Sequence, residues 1–442
     1  MTLSTSLIKS TVVAALGGLL FGFDTAVIAG TTASLTNQFH LSPRALGLTV
    51  AIALIGTIFG AMTASLPGDR YGRRDSLRGV AVLYVISALG CALSWNWSSL
   101  VAFRFIGGLG VGASSVLGPM YIAELAPARL RGRLVGFFQF NVVAGILLAY
   151  FSNYVIGTQH FGAAEWRWKL GVSALPALFF FLMLFAIPRS PRWLVQRDRT
   201  GEARSVLTLL GEDDVEGELR AMIRDRDEER SHSGARLFSA DHRLPIFLAV
   251  SIGFFNQLSG INAILYYLND IFAQAGFSKV SGDLQSVAVG ATNLVFTMLA
   301  MSIIDKVGRK TLLLIGSVGT AICLAGVAVI FFMHAHENLL VWLLIGFIAF
   351  FAFSQGAVIW VYISEVFPTA VRAKGQSLGS LSHWAMAAVT SFAFPVIAAK
   401  SKGGPFVFFA AMMVVQLIVV ATIYPETKGT RLEDMQRRLA VH

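Results

Sequence analysis

Apolar and polar positions along this chain sort into twelve long hydrophobic runs divided by short polar loops. The runs lie near 8–30, 45–66, 76–94, 99–122, 133–154, 168–188, 243–273, 283–304, 312–334, 339–364, 373–396 and 404–424. Each is long enough to cross a hydrocarbon layer about 30 Å thick as a helix. Between runs 6 and 7 the pattern changes, and residues 189–242 hold ten Arg and twelve Asp or Glu. The pattern predicts an all-α membrane protein with twelve transmembrane helices in two six-helix bundles. Residues 1–188 form the first bundle and 243–424 the second. A solvated linker with short amphipathic helices, such as 202–210, spans 189–242, and 425–442 is a tail.

Composition agrees with that pattern and excludes other classes. The chain is 55% hydrophobic and 14% charged, with a mean hydropathy of +0.67, which no ordinary soluble protein of 442 residues shows. Its net charge of +10 is no nucleic-acid footprint, because the basic residues sort by membrane side. Short loops carry Arg70, Arg73 and Arg74, then Arg129, Arg131 and Arg133, then Lys306, Arg309 and Lys310. Of 35 Lys and Arg, only Arg44, Arg167, Lys169, Lys279, Lys400 and Lys402 fall on the other side, and Arg104 lies within a run. The positive-inside rule then puts both termini in the cytoplasm. The first run has no evident cleavage site, so it reads as a span rather than a signal peptide. Cys91 and Cys323 both fall inside runs, which indicates neither a disulfide framework nor a metal cluster. No cofactor, nucleotide loop or enzymatic nucleophile is expected.

Polar residues inside the runs carry the functional signal. Residues 254–267 read F-F-N-Q-L-S-G-I-N-A-I-L-Y-Y and include Asn256, Gln257, Ser259, Asn262, Tyr266 and Tyr267. Unsatisfied polar groups cost several kcal/mol in hydrocarbon, so these must face protein, water or a ligand. Gly260 allows the helix to unwind, which is tolerated where backbone lines a cavity. Neutral amides and aromatics suit a neutral, hydroxyl-rich solute, and interhelical hydrogen bonding is the alternative. Asp24 is the one carboxylate well inside the first six runs, and Arg104 is an intramembrane cation. Each needs a partner or a task, and a purely structural ion pair is the competing reading. Asn141 reads as interhelical glue.

Two cassettes repeat. Asp69-Arg70-Tyr71-Gly72-Arg73-Arg74 after run 2 recurs as Asp305-Lys306-Val307-Gly308-Arg309-Lys310 after run 8. Tyr121-Ile122-Ala123-Glu124, ending at Arg131, recurs as Tyr362-Ile363-Ser364-Glu365, ending at Arg372. A duplicated six-span unit of this kind predicts a transporter with its site at mid-membrane between the halves.

These cassettes, with Arg104-Phe105-Ile106-Gly107-Gly108, Gln257-x-x-Gly260-Ile261-Asn262, Tyr266-Tyr267 and Pro425-Glu426-Thr427-Lys428-Gly429, resemble the sugar porters of the major facilitator superfamily. The resemblance covers nearly the whole chain. It is nearest to bacterial proton-coupled monosaccharide symporters, because Asp24 stands where facilitative glucose carriers usually have Asn. It implies import of a hexose or pentose by proton symport through alternating access, by a monomer in the cell membrane. Monosaccharide, proton and lipid bilayer are then the partners, with no nucleic acid. Asp24 and Arg104 would couple the proton. Phe21, Gln139, Asn256, Gln257, Asn262, Asn293, Trp360, His383 and Trp384 would bind sugar, with Trp360 against the ring. Tyr266 and Tyr267 would close an outer gate. Asp69, Arg73, Glu124, Arg131, Asp305, Arg309, Glu365 and Arg372 would latch the inner side. A facilitative uniporter and a non-transporting sensor are the alternatives.

Three departures from the family pattern stand out. Asn256 replaces a glutamine common in relatives, which shortens its reach. His383 occupies a position usually filled by Asn or Gln; it either touches sugar or bonds a neighbouring helix. Arg189, in Pro188-Arg189-Ser190-Pro191-Arg192, replaces a glutamate and puts one inner-gate charge contact in question.

Overall fold

The computed structural model describes residues 4–127, 129–159, 161–231, 237–239, 242–367 and 371–428. Pro368 and Gly429 of the motifs above, and most of the tail, lie outside the described residues. Among the described residues, twelve helices are long and apolar enough to cross a membrane. Spans 1–6 are Thr5–Gly30, Pro43–Thr63, Arg73–Ala92, Trp97–Leu125, Arg131–Gly157 and Gly162–Ala186. Spans 7–12 are Arg243–Tyr266, Lys279–Val307, Arg309–Met333, Asn338–Val366, Arg372–Ala398 and Gly404–Thr422.

Local chemistry sets several of these boundaries. Asn96 starts span 4 as an N-cap: its side chain accepts from Ser99 N at 2.8 Å, while Ser99 reciprocates on the Asn96 backbone. That capping box satisfies donors a helix start leaves open. Span 7 ends its first helix at Leu258, and Gly260 takes a left-handed φ of +83° before a new helix, Ile261–Tyr266. Only glycine enters that region at little cost, so the expected break is where the sequence placed it. A second break was not foreseen. Span 10 divides at Ser354 (φ −121°, ψ −89°) into Asn338–Phe353 and Gln355–Val366, with Ser354 Oγ donating to Phe350 O at 2.6 Å.

The chain forms two compact units. The first holds residues 1–24, 56–146 and 170–235. Its core packs Ala14, Leu77, Ala81, Leu117, Tyr121 and Phe180 from spans 1, 3, 4 and 6. The charged segment belongs to this unit and folds into three helices, Pro191–Gln196, Thr200–Leu210 and Val215–Ser231. Ser190 caps the first of them, accepting from Trp193 N at 3.2 Å, with Pro191 in its first turn. The apolar stripes of the three meet in a small core of Trp193, Leu194, Val195, Ala203, Leu207, Leu219 and Met222. They are therefore packed helices rather than a solvated tether.

The second unit holds residues 25–55, 147–169 and 236–442. It thus gathers the end of span 1, the start of span 2, the end of span 5 and the start of span 6 with all of spans 7–12. Aromatic pairs fill its interior, among them Tyr362 stacked on Tyr424 at 5.3 Å and Tyr267 on Phe394 at 5.2 Å.

Candidate functional site

The break in span 7 places a cluster of neutral polar groups inside the second unit. Gln257 sits in the last turn before the break and is buried, as are Asn256 and His383. Asn256 Nδ2 donates to Gln355 O at 3.3 Å, and Asn256 Oδ1 accepts from Gln257 Nε2 at 3.1 Å. Both polar ends of Asn256 are therefore used by protein. Its shortened side chain reaches the Gln355 backbone carbonyl in the first turn after the span 10 break, and its oxygen holds the Gln257 amide. Gln257 Nε2 also lies 3.1 Å from His383 Nε2. Gln257 Oε1, by contrast, is buried and has no hydrogen-bond partner among the described residues. An unsatisfied buried acceptor costs about 1–3 kcal/mol, so this oxygen is an open site for a donor.

Aromatic rings flank the amides. His383 lies 5.1 Å from Trp360 and 4.8 Å from Trp384, centroid to centroid, the second pair edge-on. Trp384 is buried, whereas Trp360 keeps an exposed face. Such a face can cover the C–H side of a sugar ring while a neighbouring amide oxygen accepts a hydroxyl. Asn293 is buried on span 8 and accepts a 3.4 Å bond from Thr297 of its own helix. Asn262 is half-buried beyond the break. Tyr266 and Tyr267 are buried there, and the Tyr267 hydroxyl donates to Ser391 O at 3.1 Å.

The first unit holds a pair of opposite charges. Arg104 Nη1 lies 3.5 Å from Asp24 Oδ1, with the guanidinium almost fully buried and the carboxylate one-fifth exposed. At that distance the pair is an ion contact rather than a tight hydrogen bond, and among the described residues Arg104 Nε has no hydrogen-bond partner. Phe21 and Gln139 are half-buried on spans 1 and 5. Asn141 donates to Phe137 O of its own helix at 2.9 Å. It is therefore bonded within span 5 and does not glue span 5 to a neighbour.

The loop cassettes fold alike in each unit. Arg73 Nε lies 2.8 Å from Glu124 Oε1, and its Nη1 reaches Asp69 Oδ1 at 3.1 Å and Gly68 O at 3.0 Å. Arg309 meets Glu365 at 2.7 Å, Asp305 at 2.9 Å and Ile304 O at 3.3 Å. Arg131 Nε donates to Ala123 O at 3.1 Å, and Arg372 opens span 11, half-buried. The braces differ. Asp69 O accepts from Trp193 Nε1 at 2.9 Å and from Arg197 at 2.8 Å. In the second unit Glu426 accepts from the backbone of Arg309 and Lys310 at 2.9 and 3.0 Å, at the start of span 9, and Thr427 donates to Glu365 at 2.6 Å.

Comparison with known proteins assigns the arrangement. The Sugar (and other) transporter family matches residues 10–439. The chain belongs to that family. Among its relatives, it is 37% identical to the arabinose-proton symporter of Bacillus subtilis (strain 168), covering 96% of this chain and 93% of that protein. It is 36% identical to the D-xylose-proton symporter of Escherichia coli (strain K12), covering 98% and 96%. The inward-open structure of the xylose transporter XylE from E. coli superimposes with a TM-score of 0.87 at 35% identity, covering 98% of this chain and 99% of that one.

Within this sugar transporter two features escaped the sequence reading. Gln355 is a buried intramembrane residue whose backbone carbonyl accepts from Asn256, and a Ser-Gln-Gly interruption of an apolar run was the available signal. Asp75 gathers Arg78 at 2.7 Å, Arg74 at 3.0 Å and Arg189 at 3.0 Å. Arg189 thus finds a carboxylate where the family's glutamate stands in the motif, so the replacement reverses the sign of a charge contact and keeps a contact in place.

Proposed function

We propose that this sugar transporter imports a monosaccharide, a hexose or a pentose, together with a proton by alternating access. The observation that carries the coupling is the loose Asp24–Arg104 pair, 3.5 Å apart inside helices of bilayer length. A charge held there by one counter-charge can be exchanged for a proton when the pair separates, whereas a purely structural pair is expected to be tightly hydrogen-bonded. The relatives named as proton symporters of arabinose and xylose support the same reading. Gln257 supplies an open acceptor for a sugar hydroxyl, and Trp360 an apolar face for the ring. Asn262, Asn293, His383 and Trp384 complete the second unit's share, with Asn256 orienting Gln257. Phe21 and Gln139 remain assigned to sugar by the family resemblance alone.

Both termini face the cytoplasm in this reading, and the chain acts as a monomer in the cell membrane. The Arg73 and Arg309 loops then lie inside, where the ion pairs of each brace the inner end of its own half. Tyr266 and Tyr267 serve as the outer gate. Sugar and proton bias the equilibrium between states only through their differential affinity for each. The test is uptake by purified protein in liposomes, with a monosaccharide panel and an imposed inward proton gradient. At least one sugar should accumulate above equilibrium and fall back when an ionophore collapses the gradient. Uptake that stops at equilibrium and ignores pH would make the protein a uniporter.

A further inference from the structure

Among the described residues of the second unit Lys169 is the most deeply buried charged side chain, with no exposed surface, although it stands in the outer third of span 6, from which a lysine can ordinarily reach water. A buried ammonium is tolerated only when its charge and donors are matched, and this one has two hydrogen-bond acceptors and a second carboxylate at ion-pair distance. Its Nζ lies 2.7 Å from Glu165 Oε1, 3.1 Å from Gly30 O and 3.5 Å from Asp283 Oδ2. Glu165 Oε2 is shared with Lys279 Nζ at 2.6 Å. Asp283 Oδ1 accepts from Asn269 Nδ2, and Asn269 Oδ1 accepts from Ser286 at 2.9 Å. Two ammonium groups and two carboxylates make the cluster neutral.

The chain positions of these groups matter more than their number. Gly30 ends span 1, and Glu165 and Lys169 lie early in span 6. Asn269 lies on the helix Leu268–Gln274 after span 7, and Lys279, Asp283 and Ser286 begin span 8. Gly157, the last residue of span 5, crosses so near that a Cβ there would lie 2.7 Å from Asp283 Oδ2. Close by, Tyr150 of span 5 donates its hydroxyl to Leu265 O, in the segment beyond the span 7 break, at 2.8 Å. All of these residues belong to one compact unit, yet they come from both members of the duplicated repeat. Alternating access moves one repeat against the other, so a buried charge cluster made from both can persist in only one end state. Separation returns each of these charges to water, so the contact can open without exposing an apolar plug.

The geometry points to a reversible outer latch. Lys169, Glu165 and Asp283 are positioning residues that hold the outer end closed and set the balance between outward- and inward-facing states. This rests on the orientation and transport function proposed above. Ala29, buried beside the cluster at the end of span 1, offers a small reporter position. In a chain with Cys91→Ala, Cys323→Ala and Ala29→Cys, a membrane-impermeant maleimide supplied from outside should label slowly. Lys169→Met should raise the labelling rate about tenfold or more and lower the half-saturating external sugar concentration, with a smaller maximal uptake rate. Adding Asp283→Asn, which removes the stranded counter-charge, should bring the labelling rate part of the way back. A merely structural lysine would lower the yield of protein without that partial reversal.

An unchanged labelling rate in a monodisperse Lys169→Met protein that still transports sugar would overturn the latch alone. A chain that transports no sugar before any substitution at the cluster would instead overturn the reading on which it rests. Labelling only by reagent supplied at the cytoplasmic face would overturn the orientation and the outer latch together. If Lys169→Met does not fold, Asn269→Ala is measured in the same way, because it removes only the amide that seats Asp283. Acceleration there supports the latch, and an unchanged rate overturns it.

Discussion

Span 1 of the first unit conceals a charge, whereas span 7 of the second conceals only dipoles, and each solution limits what the unit can do. Asp24 is balanced by a single guanidinium at 3.5 Å, and the proposed coupling uses two forms of the pair, ion-paired or separated with a proton bound. Gln257 is balanced by a chain of neutral groups, Asn256, His383 and the Gln355 carbonyl, and lacks a partner only at Oε1. Such a chain is rigid and nearly insensitive to membrane voltage, which suits a hydroxyl-bearing solute. In the proposed coupling the charged pair is the element that responds to proton concentration and voltage. On the proposed assignment, energy coupling and sugar recognition would rest on different physics in different parts of the molecule.

The strongest way to break the comparison is to make the first unit resemble the second. Asp24→Asn preserves side-chain size and removes the titratable proton. One charge moved through 100 mV is worth ~2.3 kcal/mol, enough for roughly fifty-fold accumulation at one proton per sugar. We expect that accumulation to fall to equilibrium in Asp24→Asn while counterflow at equal pH survives. Some loss of stability should accompany it, because Arg104 is left without its carboxylate. If the variant concentrates sugar as well as the parent, Asp24 does not couple the proton.

Gln257→Ala attacks the other side of the comparison. It deletes the open acceptor and strands Asn256 Oδ1, at about 1–3 kcal/mol for an unmet buried group. Sugar affinity should fall about tenfold, since 1.4 kcal/mol is a decade, while the proton gradient should still drive whatever sugar binds. Calorimetric titration that finds equal affinity in the two proteins would remove Gln257 from the site.

How far each side could be read from sequence follows from the same contrast. Charges in apolar runs are conspicuous, so Asp24 and Arg104 announce themselves and have few possible partners. The break at Gly260 was legible because Gly combined with polar neighbours has one economical explanation. The break at Ser354 was not, since a hydropathy average passes over one Ser-Gln pair. The partners of Asn256 and His383 depend on helix register and rotation, which a single sequence does not encode. Lys169 was counted as a water-facing loop charge because the positive-inside rule sorts residues by side and is blind to burial. Asp75 was overlooked beside the more conspicuous arginines of its loop, although it meets three of them.

His383→Gln sharpens the comparison with a smaller effect. The imidazole lies between Trp360 and Trp384 and within 3.1 Å of the Gln257 amide. A glutamine there keeps a donor and an acceptor but loses the edge-on and tilted ring contacts. The order of preference among monosaccharides should change, with the best substrate still transported. An identical ranking in parent and variant would assign His383 to packing.

The smallest effect concerns a carboxylate that follows neither pattern. Asp270 lies on the helix after span 7, outside the membrane-spanning segments, and lines a cavity of about 920 Å³ with Thr36, Asn37 and Tyr267. Burial pushes its carboxyl up to about 6, opposed by the hydroxyl of Thr32 rather than by a cation. Between the ordinary 3.8 and about 6 the folded chain therefore binds more protons at this site than the unfolded chain. Stability from this group is fully present below the lower value and is lost as pH rises through the upper one. Asp270→Asn has no such proton to lose. The variant should gain on the parent as pH rises from about 4.5 to 7.5, by on the order of 1–2 kcal/mol, a few degrees at most in thermal midpoint. Thermal unfolding in detergent across that range checks it, and parallel pH curves for the two proteins would show that Asp270 titrates normally and that its burial carries no cost.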